Sequence, residues 1–235
     1  MAIYREDFAV AEKGDGSPVT LADERAEALI VARLAAVAPG IPVVAEEAAA
    51  AGKNTTAGEL FWLVDPLDGT KEFINRNGEF TINIALVSRG IPIAGVVSAP
   101  ALGKIFAGAA GTGAFIEDAR GRHPIACRVP PAEGLTVVSS RSHGDAGKLE
   151  EFLSGRKVAS NVGAGSSLKF CLVATGEADL YPRFGRTMEW DTAAGHAVLL
   201  AAGGTVSDLA GAPLSYGKPG FENPHFIARG LPSQD

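Results

Sequence analysis

The pattern of apolar residues changes near the middle of the chain. Before about residue 128, short apolar runs come in pairs: FTINIALV is followed after SRG by IPIAGVVSAP, and KIFAGAAGTGAFIE contains a second pair. Pairs of this kind predict β-hairpins. After the Pro-rich stretch HPIACRVPPAEG, strand-like and helix-like segments alternate, which predicts a mixed layer of strands and helices. The chain is therefore expected to combine an antiparallel sheet with an α/β layer.

These patterns predict an α/β (α+β) protein of two domains. We expect residues 1–128 to form an N-terminal α+β domain on an antiparallel sheet and residues 129–235 to form a C-terminal α/β domain, with the active site between them. Beyond the junction, the predicted elements are the strand LTVVSS, the helices DAGKLEEFLSG and SSLKFCLVATG (the latter ended by Gly176), the strand ADLYPRF, the helix DTAAGHAVLLAAGG and a last strand, TVSDL.

The segment after Thr20 predicts one long helix. Thr20 is suited to the N-cap, and Asp23 and Glu24 fall in the first turn, where the helix dipole favours acidic side chains. Pro39 and Gly40 end the helix. Its apolar face is predicted to consist of Ala26, Leu29, Ile30, Leu34 and Val37.

Composition limits the class of protein. Hydrophobic residues make up 46% of the 235 residues and charged residues 20%, which is typical of a globular protein. No apolar run is long enough to cross a bilayer, and the opening MAIYREDFAV contains no signal-peptide core. We therefore expect a cytoplasmic protein with no integral membrane segment.

Net charge and cysteine content narrow the partners. The formal net charge of −6 argues against nucleic acid as a partner, because phosphate backbones require a basic surface. A phosphorylated substrate then needs a local positive site, which clustered carboxylates provide when they hold cations. Cys127 and Cys171 are far apart in sequence and lie among apolar residues, so we expect buried thiols rather than a disulfide or a metal pair.

The strongest local signal for chemistry is the run DPLDGT, residues 65–70. It follows FWLV, which predicts a short buried strand, and Gly69 permits a sharp turn. Asp65, Asp68 and Thr70 can then point to one spot at the strand end, as oxygen ligands of Mg²⁺ must. Ordinary turns also use the pattern D-x-x-D-G, so the motif alone leaves both interpretations open.

The spacing of the two acids argues against a covalent aspartyl-phosphate mechanism. Phosphatases of the haloacid-dehalogenase type carry D-x-D-G-T, whereas both Pro66 and Leu67 lie between Asp65 and Asp68 here. The second acid then points in a different direction from the first. Attack by a water molecule that metal ions activate is favoured instead.

Three further acidic segments have ordinary explanations when taken singly. Glu46 and Glu47 follow the predicted strand IPVVA and could form a solvated loop edge. Asp191 is expected at the start of a helix as an N-cap, and Asp23 could merely complement a helix dipole. Their joint occurrence with DPLDGT favours a shared site.

Together, SPVTLAD, the Glu46-Glu47 pair, DPLDGT and WDTAAG resemble the lithium-sensitive, magnesium-dependent inositol monophosphatase superfamily. The longer strings WLVDPLDGTKEFINRNGEFTINIALV, SSRSH, GSSLKFCLVATGEADLYPRF and MEWDTAAGHAV are similar to its 3′(2′),5′-bisphosphate nucleotidase branch. The resemblance runs from about Lys13 to the C-terminal strand. It implies a layered αβαβα sandwich of the sugar-phosphatase type and hydrolysis of adenosine 3′,5′-bisphosphate, a by-product of sulfate assimilation, to AMP and phosphate.

The resemblance also implies two or three Mg²⁺ ions per site and a set of residues that hold them. In this resemblance, the ligands of the first ion correspond to Glu46, Asp65 and the backbone carbonyl of Leu67. The ligands of the second ion correspond to Asp65, Asp68 and Asp191. A weaker third ion would use Glu46 and Asp23. The implied catalytic residues are Asp23, Thr70 and Glu46, of which Thr70 and Asp23 orient and deprotonate the attacking water, and Glu47 lies outside the ligand set.

The implied partner is a small-molecule nucleotide bisphosphate. The residues that match substrate contacts are Gly69, Thr70, His143, Ser166, Ser167, Lys169, Arg183 and Asp191. An inositol- or sugar-monophosphate phosphatase is the nearest alternative, and Lys169 favours the nucleotidase because it could contact a second phosphate. A non-catalytic nucleotide-binding module would have lost a metal acid or Thr70. A homodimer and a peripheral position at the inner membrane remain open.

The N-terminus departs from the family pattern. Members usually begin with a helix of several turns ahead of the SPVT segment, whereas Met1 to Glu12 stand in that place here. We expect a first helix that is cut short, an uncovered apolar stripe on the long helix that follows, and lower stability than in relatives with a full first helix.

Overall fold

A computed structural model of the chain describes residues 1–6, 8–12, 18–53, 56–141 and 145–232. The strands are β1 (Val10–Glu12), β2 (Pro18–Thr20), β3 (Val43–Ala45), β4 (Leu60–Asp68), β5 (Thr81–Ser88), β6 (Ile91–Ala99), β7 (Lys104–Ala109), β8 (Gly113–Asp118), β9 (Gly121–Ile125), β10 (Leu135–Ser140), β11 (Val158–Ala164), β12 (Leu180–Arg183), β13 (Thr205–Asp208) and β14 (Phe226–Arg229). The helices are α1 (Ala2–Arg5), α2 (Leu21–Val37), α3 (Glu46–Ala50), α4 (Thr70–Ile74), α5 (Ala146–Leu153), α6 (Leu168–Ala174) and α7 (Glu189–Ala201), and a 3-10 turn spans Pro219–Phe221.

The strands form two large sheets and one short ribbon. The first large sheet has the order β3-β4-β5-β6-β7-β8-β9, and all its pairs are antiparallel except β3 with β4. The second has the order β11-β10-β12-β14-β13, in which β10, β11 and β12 are parallel and β14 is antiparallel to both of its neighbours. The strands β1 and β2 pair with each other. The predicted hairpins and the mixed second layer are confirmed.

Helices separate and flank the two sheets. The helix α7 packs on strands β4 to β8 of the first sheet, and α6 lies between α7 and the second sheet. The helix α2 packs on β4, and Phe152 and Leu153 of α5 cover a small apolar cluster of the second sheet. This order is the αβαβα sandwich expected from the sequence. The division into domains at residue 128 stays a prediction, although β9 ends at Ile125 and β10 begins at Leu135.

Glycines allow α7 to approach the first sheet closely. A Cβ atom at Gly95 of β6 would lie 2.4 Å from the carbonyl oxygen of Ala194, and one at Gly108 of β7 would lie 2.8 Å from Cβ of Ala201. Real Cβ atoms do not make contacts this short, so a larger residue at either position would push the helix away. Because α7 carries Asp191, this close packing fixes the position of that carboxylate relative to the sheet.

Two sequence predictions about helices need correction. The helix α7 starts at Glu189, so Asp191 is its third residue and not the N-cap, and its Oδ2 atom accepts a hydrogen bond from the backbone N–H of Met188. On α2, the predicted N-cap Thr20 is confirmed, but the predicted apolar face is wrong in part. Leu29 is 61% exposed and Val37 is 80% exposed, so these two residues are not buried against β4 and instead belong to the uncovered apolar stripe that was expected on this helix.

Other expectations concern the strands and the thiols. The strands β1, β2, β9, β11 and β14 were not predicted, and TVSDL (β13) is not the last strand in the described part of the chain, because β14 follows it and pairs between β12 and β13. Cys127 and Cys171 are buried free thiols, as predicted, and burial raises the pKa of Cys127 to about 11. No helix among the described residues has the length and apolar character needed to cross a bilayer.

Candidate active site

The predicted site residues surround one cavity of about 1090 Å³. The members of the predicted set that line it are Glu46, Asp65, Leu67, Asp68, Gly69, Thr70, Ser166, Lys169, Arg183 and Asp191. They come from the start of α3, the end of β4, the start of α4, the turn before α6, the first turn of α6, the strand β12 and the first turn of α7. Of the other predicted site residues, Asp23 and Ser167 do not line the cavity. His143 lies outside the described residues.

Asp65 is at the centre of the acidic wall. It is 1% exposed, and its Oδ1 atom accepts a hydrogen bond of 2.9 Å from the backbone N–H of Leu67. Burial raises the pKa of Asp65 well above its ordinary value, and the nearby carboxylates of Glu46, Asp68 and Asp191 raise it further. A hydrogen bond between the carboxyl groups of Asp65 and Glu46 adds to the shift. Side chains from β4, α3 and α7 therefore meet at this point.

Asp68 is held by a chain of polar groups. Its Oδ2 atom accepts a hydrogen bond of 3.2 Å from Nδ2 of Asn83, which also donates to Oγ of Ser167 at 3.0 Å. Ser167 in turn donates to the backbone carbonyl of Asp191 at 2.5 Å. Burial raises the pKa of Asp68, and Lys169 and these hydrogen bonds oppose that shift. These hydrogen bonds therefore link the DPLDGT motif to the first turn of α7.

The position of Ser167 differs from that of the other predicted substrate contacts. It is 1% exposed and is not among the residues that line the cavity. Its hydroxyl accepts a hydrogen bond from Asn83 and donates one to the carbonyl of Asp191, so it stabilises the acidic wall from behind. Asn83 was missed by sequence reasoning. An asparagine in the alternating strand TINIALVS, at a position whose side chain is buried, was the available signal.

Thr70 and Asp23 are in contact, as the predicted roles require. Oγ1 of Thr70 donates to Oδ1 of Asp23 at 3.3 Å and lies 3.4 Å from the carbonyl oxygen of Leu67. The other oxygen of Asp23, Oδ2, accepts hydrogen bonds from the backbone N–H and the hydroxyl of Thr20 at 2.8 and 2.7 Å. Asp23 is 1% exposed, with Oδ2 in the capping box of α2 and Oδ1 in contact with Thr70.

Glu27 positions the short helix α3 that carries Glu46. Its Oε2 and Oε1 atoms accept hydrogen bonds from the backbone N–H groups of Glu47 and Ala48 at 2.7 and 2.9 Å. Glu27 lies one turn beyond Asp23 on α2, so the two carboxylates project from the same side of the helix. Sequence reasoning overlooked Glu27, although the spacing of four residues from Asp23 was visible.

Glu189 connects α7 to a loop on the cavity rim. Its carboxylate is fully buried and accepts hydrogen bonds from the backbone N–H groups of Gly217 and Lys218 at 2.6 and 3.0 Å. The ammonium of Lys218 lies 2.6 Å from the same carboxylate. Gly217, Lys218 and Phe221 line the cavity, so this buried acid holds one of its walls.

The donor set fits a cation with oxygen ligands. Burial raises the pKa values of Asp65, Asp68 and Asp191, and neighbouring carboxylates raise those of Asp65 and Asp191 further, so a divalent cation bound among them would stabilise their charged forms. Among the residues that the structure describes, however, no three His, Cys, Asp or Glu side chains already have an arrangement that could hold an ion. Asp65, Asp68 and Asp191 each direct an oxygen at a protein donor instead. The cavity therefore brings these acids together without a ready-made ion site among the residues that the structure describes.

Two basic residues, Lys169 and Arg183, line the part of the cavity beside Ser166, which we call its basic end. Lys169 is buried, and its ammonium donates to the carbonyl oxygens of Ser166 and Ala164 at 2.6 and 3.3 Å. Burial lowers the pKa of Lys169 to about 8, and the neighbouring Asp68 opposes that shift. Arg183 donates to the carbonyl oxygen of Arg186 at 3.0 Å. An anionic ligand beside Lys169 and Arg183 would thus meet positive charge, and Asp68 and Asp191 lie close enough to interact electrostatically with these two cations.

The chain is similar to known proteins along most of its length. A protein of Escherichia coli (strain K12) named 3′(2′),5′-bisphosphate nucleotidase CysQ is 50% identical over 218 residues, which is 92% of this chain and 87% of that protein. The crystal structure of CysQ from Bacteroides thetaiotaomicron superposes with a TM-score of 0.82 at 37% identity and covers 97% of this chain and 90% of its own. An IMPase of Thermotoga maritima gives a TM-score of 0.78 at 28% identity, with 94% and 82% covered. The family model for inositol monophosphatases matches residues 1–230, and on these grounds the chain belongs to the inositol monophosphatase family.

Proposed function

We propose that the protein hydrolyses the 3′-phosphate of adenosine 3′,5′-bisphosphate to AMP and inorganic phosphate, with Mg²⁺ as its cofactor. The observation that carries this proposal is the placement of the acidic wall, the Thr70–Asp23 pair and the basic end around one cavity. Family membership supports the general reaction, because inositol monophosphatases are metal-dependent phosphatases. The nucleotide is suggested by the E. coli relative, whose name states that substrate class.

The acidic wall would bind the metal ions. Glu46, Asp65 and the carbonyl of Leu67 would hold one, and Asp68 and Asp191 would join Asp65 in holding another. Bound there, Mg²⁺ would lower the pKa of a water molecule and neutralise charge that develops on the phosphate. The peptide chain supplies the fixed geometry, because each of the three aspartates is attached to a different protein donor.

Thr70 and Asp23 would orient the attacking water. The proton of the Thr70 hydroxyl is directed to Oδ1 of Asp23, so the lone pairs of Oγ1 remain to accept a hydrogen bond from the water. The N–H and hydroxyl of Thr20 fix the other oxygen of Asp23, which prevents the carboxylate from rotating away. A proton from the water can pass through Oγ1 to Oδ1 as the water oxygen attacks phosphorus. The bond between phosphorus and the 3′-oxygen of the ribose then breaks, and that oxygen takes up a proton from solvent to become the 3′-hydroxyl of AMP.

Lys169 favours a substrate with a second phosphate over inositol or sugar monophosphates. Its charged group is buried beside Ser166, and a second phosphate of the substrate would supply an anionic group for it to bind. Gly69, Ser166 and Arg183 line the same space and complete the predicted substrate contacts. An inositol- or sugar-monophosphate phosphatase with the same metal site is the alternative.

Phosphate release from three compounds separates these functions. Adenosine 3′,5′-bisphosphate, inositol 1-phosphate and fructose 1,6-bisphosphate would be assayed with Mg²⁺, with EDTA and with added Li⁺. We expect the highest kcat/KM for the adenosine bisphosphate, complete loss of turnover with EDTA and inhibition by Li⁺. Turnover that survives EDTA would refute the metal mechanism, and preference for inositol 1-phosphate would refute the nucleotidase assignment alone.

A further inference from the structure

An ion pair outside the cavity joins the two halves of the molecule. Glu79 lies in the connection between α4 and β5, and Arg141 follows β10 of the other sheet. Nε and Nη2 of Arg141 lie 2.9 and 2.7 Å from the two carboxylate oxygens of Glu79, which is a bidentate arrangement. The hydrogen bond from Arg141 lowers the pKa of Glu79, and partial burial of the carboxylate opposes that shift. Neither residue lines the cavity.

The same carboxylate holds the turn that precedes α6. Oε2 of Glu79 accepts a hydrogen bond of 2.8 Å from the backbone N–H of Gly165. The approach is so close that a Cβ atom at Gly165 would lie 2.9 Å from the carbonyl oxygen of Glu79 and from Cγ of Glu72. Glycine at position 165 is therefore needed for this contact. Glu79 itself is fixed locally, since its N–H donates to the side chain of Asn77 at 2.9 Å.

Ser166, the next residue, has a strained backbone and a free hydroxyl. Its φ angle is +45°, in the left-handed region that residues with a Cβ atom rarely adopt. Its Oγ atom is buried and has no hydrogen-bond partner among the described residues. Strain and an unmade hydrogen bond both cost stability, so the surroundings must enforce this conformation. Lys169 holds the Ser166 carbonyl from inside, and Glu79 holds the adjacent N–H from outside.

We infer that Glu79, supported by Arg141, is a positioning residue for recognition of the second phosphate of the substrate. The ion pair anchors the Gly165–Ser166 turn and so keeps the Ser166 hydroxyl available to a ligand oxygen beside Lys169. This inference rests on the proposed function, because it assumes a substrate that carries two phosphates. It assigns to Glu79 an effect on the binding of a phosphate beside Ser166 and Lys169, because the Glu79 carboxylate contacts Gly165 of that turn, and no effect on the hydrolysed phosphate, which the acidic wall would receive.

The inference is tested with Glu79→Ala and two substrates, adenosine 3′,5′-bisphosphate and 3′-AMP, which lacks the 5′-phosphate. We expect KM for the bisphosphate to rise about tenfold, since a charged hydrogen bond is lost at the turn, while kcat changes by less than about twofold. The kinetic constants for 3′-AMP should not change. Glu79→Gln, which keeps an oxygen acceptor for Gly165, should raise KM less than the alanine variant does.

The matched control is Glu117→Ala on the hairpin of β8 and β9. Glu117 pairs with Arg122 through two hydrogen bonds of 3.0 and 2.8 Å and does not line the site cavity. Removal of its carboxylate should therefore leave the kinetic constants for both substrates unchanged. Melting temperatures verify that each variant is folded, and Arg141→Ala provides a second route to the same KM change. Equal effects of Glu79→Ala on the two substrates, or a fall in kcat with KM unchanged, would overturn the inference.

Failure of this inference can be distinguished from failure of the proposed function. If the wild-type protein releases no phosphate from the bisphosphate, the proposed function is wrong. Calorimetric titration with adenosine 3′,5′-bisphosphate then still tests Glu79, because the inference concerns binding. Weaker binding by Glu79→Ala than by the wild type and Glu117→Ala would support it, and equal binding by all three would refute it.

Discussion

Oγ1 of Thr70 lies 3.3 Å from Oδ1 of Asp23, although 47 residues separate them in sequence. The contact joins the first turn of α2 to the first turn of α4, and both helices begin at the end of a strand. Asp23 forms a capping box with Thr20 at the start of α2. The same side chain accepts the hydrogen bond from the Thr70 hydroxyl at the start of α4. A helix cap has thus become part of the candidate catalytic machinery.

Replacement of Thr70 tests whether its hydroxyl acts on the attacking water. We expect Thr70→Ala to lower kcat by about 10²- to 10³-fold, which is the usual contribution of a positioned proton acceptor. Thr70→Ser keeps the hydroxyl and should retain most of the activity. Thr112→Ala serves as a control, because the Thr112 hydroxyl bonds only to the Ala109 carbonyl in an exposed turn. Comparable rates in Thr70→Ala and the wild type would exclude the proposed role.

Much of the site could be predicted because its acids follow recognisable strands and helices. FWLV and IPVVA form buried strands as expected, and the acids at their ends meet in the structure. The supporting residues were harder to predict, since their roles depend on contacts between distant segments. Glu27 bonds to N–H groups about twenty residues away, and Asn83 bonds to Ser167 across 84 residues. Such partners become visible only when the register of the sheets is known.

Helix boundaries and short strands were the main errors in the predicted fold. The start of α7 was placed at Asp191 because aspartate is a frequent N-cap, but the Asp191 side chain reaches back to the N–H of Met188 from inside the helix. The four residues of β14 have no distinctive pattern of their own, and pairing with β12 and β13 determines their conformation. Tertiary contacts therefore override local preference at both places.

Glu27 offers a test of how α3 is positioned. Glu27→Ala removes the acceptor for the N–H groups of Glu47 and Ala48, and we expect the free energy of unfolding to fall by about 1–3 kcal/mol. Because Glu46 begins α3, the Mg²⁺ concentration that gives half-maximal activity should rise by about tenfold. Glu24→Ala, at an exposed position of the same helix, is the control. An unchanged Mg²⁺ requirement would show that Glu27 has no influence on Glu46.

Two glycines in helices should respond in opposite directions to replacement by alanine. A Cβ atom at Gly195 of α7 would lie 2.7 Å from Phe170, so Gly195→Ala should lower the free energy of unfolding by about 1–3 kcal/mol through overpacking. At Gly147 of α5 the nearest atom would be 3.5 Å away, and alanine should stabilise the protein by about 0.5–1 kcal/mol. Urea unfolding of both variants measures the two changes. Equal stability of Gly195→Ala and the wild type would mean that α6 and α7 can separate without cost.

His196 should make the stability of the protein depend on pH. It is buried in α7, its Nδ1 atom lies 2.9 Å from the hydroxyl of Tyr216, and burial lowers its pKa to about 3. In the unfolded chain a histidine has a pKa of about 6.5, so between these two values the unfolded state binds a proton that the folded state does not. The stabilising contribution is therefore complete above about pH 6.5 and declines as the pH falls towards 3.

The variant His196→Asn removes this titration. Between pH 7.5 and pH 5.0 the free energy of unfolding of the wild type should fall by about 2 kcal/mol more than that of the variant, because His196 accounts for that part of the dependence. Urea unfolding at the two pH values gives the difference directly. The same pH dependence in the wild type and His196→Asn would mean that His196 is protonated in the folded protein at pH 5, and its contact with Tyr216 would then have to be that of a charged donor.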